Sequence, residues 1–454
     1  MQTVILGAGI SGLTAAYALS RIPGASCSVY EEGSAPGGLC QTHKYDGFTF
    51  DAISHVLHFR SAEAEQLAEK VVAGKLTQHE RRSWIYFRGR YIPYPFQSHL
   101  GFLPFAERVS CLTGYLAAYA TQHAKAHQAP ENFEEWIHSH FGTGIARHFM
   151  TPYNTKLWRL SPREMSADWV RAFVPTISIR DIFRSFYGKN NTSLGYNSYF
   201  IYPDAGGVQS LVDGLAAHAS DIHLNHRAVS IDLDGRVIRF ETGEEVCYDR
   251  VISSVPLRSL ALMTTGLPEE LREASRELRC TSLLSLNYCL RRPLPHRHHW
   301  TYFPEPEFPF FRLVFPSNIS ASHAPPGCGI ICAEVSDFDS RRIEEINQQT
   351  RRHLRNLRLI ESDADIILCV KTPLSHAYPV HDLGRQDRVD RLLDFFKSRG
   401  IWSIGRFGGW RYSSIDDAMA EALQVVRELY PLSAGRNSAS TGNAPPVTTQ
   451  TPTR

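Results

Sequence analysis

Near the start of the chain, Gly7-Ala8-Gly9-Ile10-Ser11-Gly12 has the residue types and spacing to hold a pyrophosphate. Gly7 permits a tight turn, Gly9 lets phosphate oxygens reach the backbone, and Gly12 lets the next helix lie close to the strand before it. About twenty residues further on stands Glu31, whose carboxylate can accept hydrogen bonds from a ribose 2′-hydroxyl. That arrangement suits FAD or NAD better than NADP. The elements that must position these groups are legible around them. The short apolar run Val4–Leu6, bounded by glycine, predicts a buried parallel strand. Ser11–Ser20 predicts a helix whose first N–H groups and positive dipole end face the phosphates. Ser26–Tyr30 predicts the second strand, delivering Glu31 at its end.

The whole chain of 454 residues is too long for one simple core and predicts two or three domains. A hydrophobic content of 43% and a charged content of 21% read as an ordinary soluble globular protein, and a net charge of +2 offers no basic field for nucleic acid. The nine cysteines are scattered without a C-x-x-C pair, which argues against zinc and for reduced thiols in a cytoplasmic setting. No signal peptide precedes the glycine loop, and no apolar run reaches the ~20 residues that a membrane-inserted helix needs.

The expected architecture is α/β: a Rossmann-like FAD-binding domain with an inserted helical domain and an antiparallel β-sheet domain. The FAD-binding parts are 1–80, 205–280 and 395–432; the helical domain is 98–175; the sheet or substrate domain takes 81–97, 176–204 and 281–394; and 433–454 is a Ser/Thr/Asn/Pro-rich tail read as disordered. Trp84–Arg90 and Tyr91–Tyr94 predict a hairpin around Arg88-Gly89-Arg90. Phe105–Thr121, Asn132–Ser139 and Gly142–Met150 predict helices. Ile222–Leu224, Ala228–Leu233, Val237–Glu241 and Val251–Ser254 predict further strands of the nucleotide-binding domain, and Thr281–Leu290, Trp300–Phe303, Phe310–Val314 and Ile330–Val335 those of the antiparallel sheet. Gln348–Ile360 and Asp416–Leu429 predict helices.

Gly37-Gly38-Leu39, a few residues after Glu31, resembles the second patch of two-dinucleotide-binding, amine-oxidase-like flavoproteins, which makes FAD the expected cofactor and brings Asp51-Ala52-Ile53-Ser54-His55 toward the flavin ring. Over about residues 2–430 the chain resembles eukaryotic-type UDP-galactopyranose mutases. The stretches that carry this are Tyr91-Ile92-Pro93-Tyr94-Pro95-Phe96-Gln97, Gly142-Thr143-Gly144-Ile145-Ala146, Pro152-Tyr153-Asn154-Thr155-Lys156-Leu157-Trp158, Tyr302-Phe303-Pro304 with Phe310-Phe311-Arg312, Ala377-Tyr378-Pro379 and Gly405-Arg406-Phe407-Gly408-Gly409-Trp410-Arg411-Tyr412. The resemblance implies an isomerase without net redox: reduced flavin N5 attacks the anomeric carbon of a UDP-sugar, UDP leaves, the ring recloses through another hydroxyl, and UDP-galactopyranose becomes UDP-galactofuranose or a related pair.

It also implies roles residue by residue. Tyr94, Gln97, Asn154 and Trp158 match uridine-binding positions, Arg312, Tyr302, Tyr378 and Tyr412 match groups on the diphosphate, and Asn197 matches a further substrate position. Without the resemblance the aromatics read as core and the amides as caps. His55 and Arg406 match positions at the flavin's reactive edge, with Arg406 stabilising the reduced anion. Cofactor contacts are implied at Gly7, Gly9, Ser11, Gly12, Glu31, Gly38, Leu39, Ser54, Ala228, Gly405, Arg406, Asp417 and Met419. Arg81 matches the region that accepts NADPH as reductant, though Arg81-Arg82 also reads as a solvated pair.

Three departures stand out: Phe173 falls where the family has a second diphosphate arginine, with Arg171 two residues away; Ile319 falls on a diphosphate tyrosine; and Ile53-Ser54 replaces a glycine pair before the histidine. The competing readings are a FAD-dependent oxidoreductase of amine-oxidase or protoporphyrinogen-oxidase type, which does not explain Tyr94–Gln97 or Asn154–Trp158, and a flavin binder without catalysis, which draws on Phe173 and Ile319. The expected partner is a UDP-sugar, with a homo-oligomer left open.

Overall fold

The computed structural model describes residues 2–124, 129–170, 173–189 and 198–431; Arg171, Asn197 and the segment 433–454 lie outside the described residues. The strand Gln2–Leu6 is central in a five-stranded sheet, between Arg250–Ser253 and Ser26–Tyr30, with Ile401–Ser403 and Ile222–His223 at the edges. Every pairing is parallel. Helices cover both faces, as a parallel sheet requires. Ile5 packs in a cluster with residues of the helices Ile10–Leu19, Ala62–Val71 and Ile415–Leu429. Val4 and Leu6 face the other way, into a cluster with the helix Arg385–Ser398.

Two further strands expected in the nucleotide-binding domain stand outside this sheet. Ala228–Asp232 and Val237–Phe240 form an antiparallel hairpin, and with Glu245–Cys247 and Thr264–Thr265 they make a separate four-stranded sheet. The reason is their connection: a turn with Arg236 at φ 52 joins antiparallel neighbours, whereas strands of a parallel sheet need long crossovers.

The second large sheet has seven strands in the order Ile366–Pro379, Cys280–Leu290, Gly329–Ser336, Arg312–Val314, Trp300–Tyr302, Ser83–Phe87 and Arg90–Pro93. The expected hairpin around Arg88-Gly89-Arg90 forms its end. Tyr199–Pro203 pairs instead with Leu76–Glu80 in a two-stranded ribbon. The helical layer packs against the seven-stranded sheet, sharing a core with Ile85, Phe87, Ile92 and Leu283. Phe105–Ala124 packs on Phe133–Ile145, which continues through a wider turn at Ala146–Met150 into Thr151–Trp158. The two helices expected at Asn132–Ser139 and Gly142–Met150 are thus one bent run, broken at Gly142 (φ 72), where a Cβ would strike the Gly114 backbone. Among the described residues, no helix is long and apolar enough to cross a membrane.

Candidate active site

A cavity of about 930 Å³ opens at the carboxyl ends of the parallel strands, where Leu6, Tyr30, Ser254 and Ile404 reach its wall. This is where open α/β sheets bind ligands. The glycine loop forms one side. Gly7 has φ 97, and a Cβ at Gly12 would run into the Gly7 carbonyl oxygen, so both glycines are sterically required. Beyond Gly9 nothing lies within 4 Å of where a side chain would begin, leaving a bare cradle over the start of the helix Ile10–Leu19. Glu31 lies in the same wall, where its carboxylate accepts from Ala8 N at 2.7 Å and Gly33 N at 2.9 Å. It therefore shapes the loop as well as presenting a carboxylate to the groove.

Of the residues given cofactor roles, Gly7, Gly9, Ser11, Glu31, Gly38, Leu39, His55, Ala228, Gly405 and Arg406 line this cavity together. Gly405 needs its positive φ of 79, and a Cβ there would strike the Ser11 hydroxyl. Four are not brought in, the first being Gly12, which packs against the Gly7 backbone instead of lining the cavity. Ser54 places its hydroxyl against the Cys332 thiol. Asp417 caps its own helix, accepting from Ser414 N at 2.8 Å, and pairs with Arg60 at 2.5 Å. Met419 is fully buried in the core, while Ala418 faces the groove. Helical spacing explains the last two, since only one face of Ile415–Leu429 can be turned to the cavity. Composition gave no signal for Gln41, Ser254, His226, Ser375 and His376, which also line it.

Arg406 is fixed by donating from Nε and Nη2 to the Ser413 carbonyl at 3.1 and 2.6 Å. Its guanidinium lies 5.7 Å from the Tyr378 ring and 5.8 Å from the Tyr412 ring, joining the groove to an aromatic site above it. His55 stands beside it with a buried Nδ1 that has no partner among the described residues. Burial, then Arg406 and Arg312, push its imidazole down to about 3, so it is neutral at ordinary pH. Behind it, Asp51 accepts from Thr42 Oγ1 and Tyr202 Oη, each at 2.6 Å, and burial raises its carboxyl to about 6 despite those bonds.

Of the residues given substrate roles, Tyr302, Arg312 and Tyr378 stand on the seven-stranded sheet and Asn154 and Trp158 on the helix Thr151–Trp158, while Tyr94, Gln97 and Tyr412 lie on connecting segments. Strand register sets Tyr302 opposite Arg312 and Arg312 opposite Glu334. Tyr94 packs on Tyr302 at 5.3 Å, and the Arg81 guanidinium lies 4.8 Å over Tyr94. Tyr378 and Tyr412 are 6.1 Å apart. Tyr153, given no role from sequence, sits edge-on to Tyr302 at 5.4 Å within the electrostatic reach of Arg312. Arg312 does find an anion here, and it is internal: its Nε donates to Glu334 Oε2 at 2.6 Å, and Glu334 is fully buried.

The uridine set is arranged differently. Gln97 donates to the Pro175 carbonyl at 2.6 Å, Asn154 to the Met150 carbonyl at 2.7 Å, and Trp158 Nε1 to Asn154 Oδ1 at 3.3 Å. All three are buried, and the Trp158 ring is enclosed by Trp169 at 5.0 Å and by Tyr378 and Tyr412, each at 5.8 Å. Phe173 stands edge-on to Tyr412 at 4.6 Å with the Arg60 guanidinium 5.9 Å over its ring. Ile319 is buried among Phe200, Tyr202, Trp300, Val314 and Cys332, a setting without room for a polar ligand.

The bare cradle at Gly9, the Glu31 carboxylate, and the orphaned His55 nitrogen at the far end fit an adenosine dinucleotide carrying a polar ring system, and so define a dinucleotide-binding flavoprotein. The chain belongs to the family of flavin containing amine oxidoreductases, whose sequence model matches residues 10–392. Its structure is similar to that of a reduced UDP-galactopyranose mutase, with a TM-score of 0.87 and 29% identity over 94% of this chain and 95% of that one. A protein of Exiguobacterium sp. 255-15 assigned as a protoporphyrinogen oxidase shares the fold at TM-score 0.72 and 19% identity, covering 94% of this chain and 98% of that one. Among curated proteins, the chain is 24% identical over 293 residues to coproporphyrinogen III oxidases of Mycobacterium bovis and Mycobacterium tuberculosis, a match of 60% of this chain and 63% of theirs. The match thus spans less than two thirds of those relatives.

Proposed function

We propose that the chain is a FAD-dependent mutase that interconverts the pyranose and furanose forms of a UDP-sugar, galactose-like, with no net redox. The observation that carries this reading is the likeness over 94% of the chain to a reduced UDP-galactopyranose mutase. FAD, bound in its reduced form, supplies the nucleophile. The protein's own residues bind and orient. Arg406 sets a cation where a reduced flavin carries negative charge. His55, neutral between two arginines, offers a hydrogen-bonding nitrogen without adding charge. Arg312 has its Nε taken by Glu334 and turns its remaining donors to diphosphate oxygens, while Tyr302, Tyr378 and Tyr412 add hydroxyls. Arg81 stands over Tyr94, where NADPH would approach as reductant. The setting is the cytoplasm, with a UDP-sugar and no nucleic acid as partner.

Calorimetric titration of the purified holoprotein with UDP, GDP and TDP tests the nucleotide assignment. UDP is expected to bind the tightest, and equal binding of all three would remove it. A second reading, a flavin oxidoreductase with net electron transfer, draws on Glu334, which already neutralises Arg312, and on the enclosed Gln97, Asn154 and Trp158.

A further inference from the structure

Behind Tyr412 lies a histidine that the proposed reaction does not use. His381 is 3% exposed, and its two ring nitrogens meet different groups. Nε2 accepts from the Tyr412 backbone N–H at 3.1 Å. Nδ1 faces the Asp168 carboxylate at 3.6 Å, longer than a direct hydrogen bond, and has no hydrogen-bond partner among the described residues. Trp169 and Trp158 pack against the ring at 5.7 and 6.3 Å. Its backbone is held as well: the His381 carbonyl accepts from Ser166 N at 2.8 Å, and Met165 bridges to Asp382. One buried ring therefore touches the turn that carries Tyr412, both tryptophans, and the segment that carries Asp168.

We infer that His381 is a positioning residue of the site: through Nε2 it holds the Tyr412 turn in place, and Asp168 selects the tautomer that leaves Nε2 free to accept. A backbone N–H needs an acceptor opposite it, so the proton of a neutral ring must sit on Nδ1. A carboxylate beside Nδ1 favours that form. Protonation would put an N–H on Nε2 against the Tyr412 N–H, two donors face to face, and would push the turn away. The charged groups around the ring are Asp168, Asp382 and Arg385. Asp382 is engaged by Arg388, and Arg385 donates to the Trp410 carbonyl at 2.8 Å, so Asp168 is the group turned to the ring. Burial lowers the imidazole, and Asp168 is held down to about 2, chiefly by His381, so the neutral ring and the carboxylate coexist near neutral pH.

The ligand readout of this inference rests on the proposed diphosphate role of Tyr412; the flavin readout does not. Holoprotein with His381→Gln keeps an acceptor that does not titrate, His381→Phe keeps none, and Asp168→Asn keeps an acceptor without charge. UDP affinity by calorimetry between pH 8 and pH 5, and the flavin absorption spectrum over the same range without nucleotide, are compared with wild type. Wild type is expected to lose affinity by about tenfold or more toward pH 5 beyond any loss in His381→Gln, a change of roughly 1.4 kcal/mol. His381→Phe is expected to be weak at every pH, and Asp168→Asn to move the transition to lower pH. The spectral transition of wild type, relayed through Arg406, should be absent in His381→Gln. If UDP binds no variant and not wild type, the nucleotide assignment fails and the spectra alone decide. Identical pH profiles and spectra in wild type and His381→Gln, or normal UDP affinity in a folded His381→Phe, would overturn the inference.

Discussion

Arg312 reaches the site with its charge already answered by a carboxylate that is itself fully buried. Arg312→Ala should therefore do more than weaken an anion: it leaves Glu334 uncompensated and should cost about 3–5 kcal/mol of stability. Urea denaturation of the holoprotein reads that loss, and a stable Arg312→Ala would mean the pair is not formed. Glu334→Gln should have the opposite signature for ligand, a less stable free protein with a larger rise in melting temperature on adding UDP. Trp158 is another residue whose surroundings change its reading. Enclosed by two tyrosines and a second tryptophan, it should behave as core, and Trp158→Ala should lose ~3–5 kcal/mol in the same denaturation assay. A loss below about 1 kcal/mol would instead indicate a ring kept free for stacking. Asp51 gives a pH-dependent case. Burial raises its folded pKa to about 6, above the ordinary 3.8, so its contribution to stability is full below about pH 3.8 and falls as pH rises through about 6. Tyr202 donates to the ionised form, so Tyr202→Phe should cost more stability at pH 8 than at pH 4. Equal losses at both would show that Asp51 is not charged at pH 8.

The elements that hold the cofactor groove were legible because local chemistry forces them. Gly7, Gly12 and Glu31 belong to one strand–turn–helix unit, and Ser26–Tyr30 is a strand with the bounds its pattern predicts. What escaped had no such local signal. Ile366–Pro379 is a strand of 14 residues, but it is mostly half-buried, alternates weakly and contains Pro373, so it lacks the period of a half-buried strand. Arg385–Ser398 is dominated by charge, and it is a helix because Val389, Leu392 and Phe396 form one buried stripe on the parallel sheet. The antiparallel pairing of Ala228–Asp232 with Val237–Phe240 was illegible for a related reason: strand pattern gives an element and not its sheet. At the site, sequence located the aromatic residues but not what they touch. Nothing in the spacing of Trp158 and Asn154 says that their polar atoms bond each other and the Met150 turn. Gly142 tests the packing of the helical layer. With φ 72 and the Gly114 backbone against it, Gly142→Ala should cost more than ~3 kcal/mol, whereas Gly24→Ala, also at positive φ but in open space, should cost about 1 kcal/mol. Equal losses would mean that the crossing of Phe105–Ala124 and Phe133–Ile145 does not depend on that contact.

At the scale of the molecule, the parallel sheet offers a cradle for a dinucleotide and the seven-stranded sheet offers Tyr302, Arg312 and Tyr378 across from it. Arg406 connects them, lining the cavity while lying over two tyrosines of the upper site. Such a layout serves either of two chemistries on one cofactor, and only the fate of the electrons separates them. A mutase returns them to the flavin at each turnover, so the reduced protein turns over many times without oxidant. An oxidoreductase passes them on and stops when the acceptor is exhausted. The first prediction at this scale is that the purified protein is yellow and releases FAD on heating, identified by chromatography; release of FMN would contradict the reading of Glu31 and the glycine loop. The central claim is tested most directly by incubating anaerobic, dithionite-reduced holoprotein with UDP-galactopyranose and with a panel of other UDP-sugars, and separating the products. The account predicts a UDP-furanose formed over many turnovers by the reduced protein, none by the oxidised protein, and a flavin still reduced at the end. No furanose from any UDP-sugar, together with oxygen consumption in step with oxidation of a porphyrinogen or an amine, would contradict it.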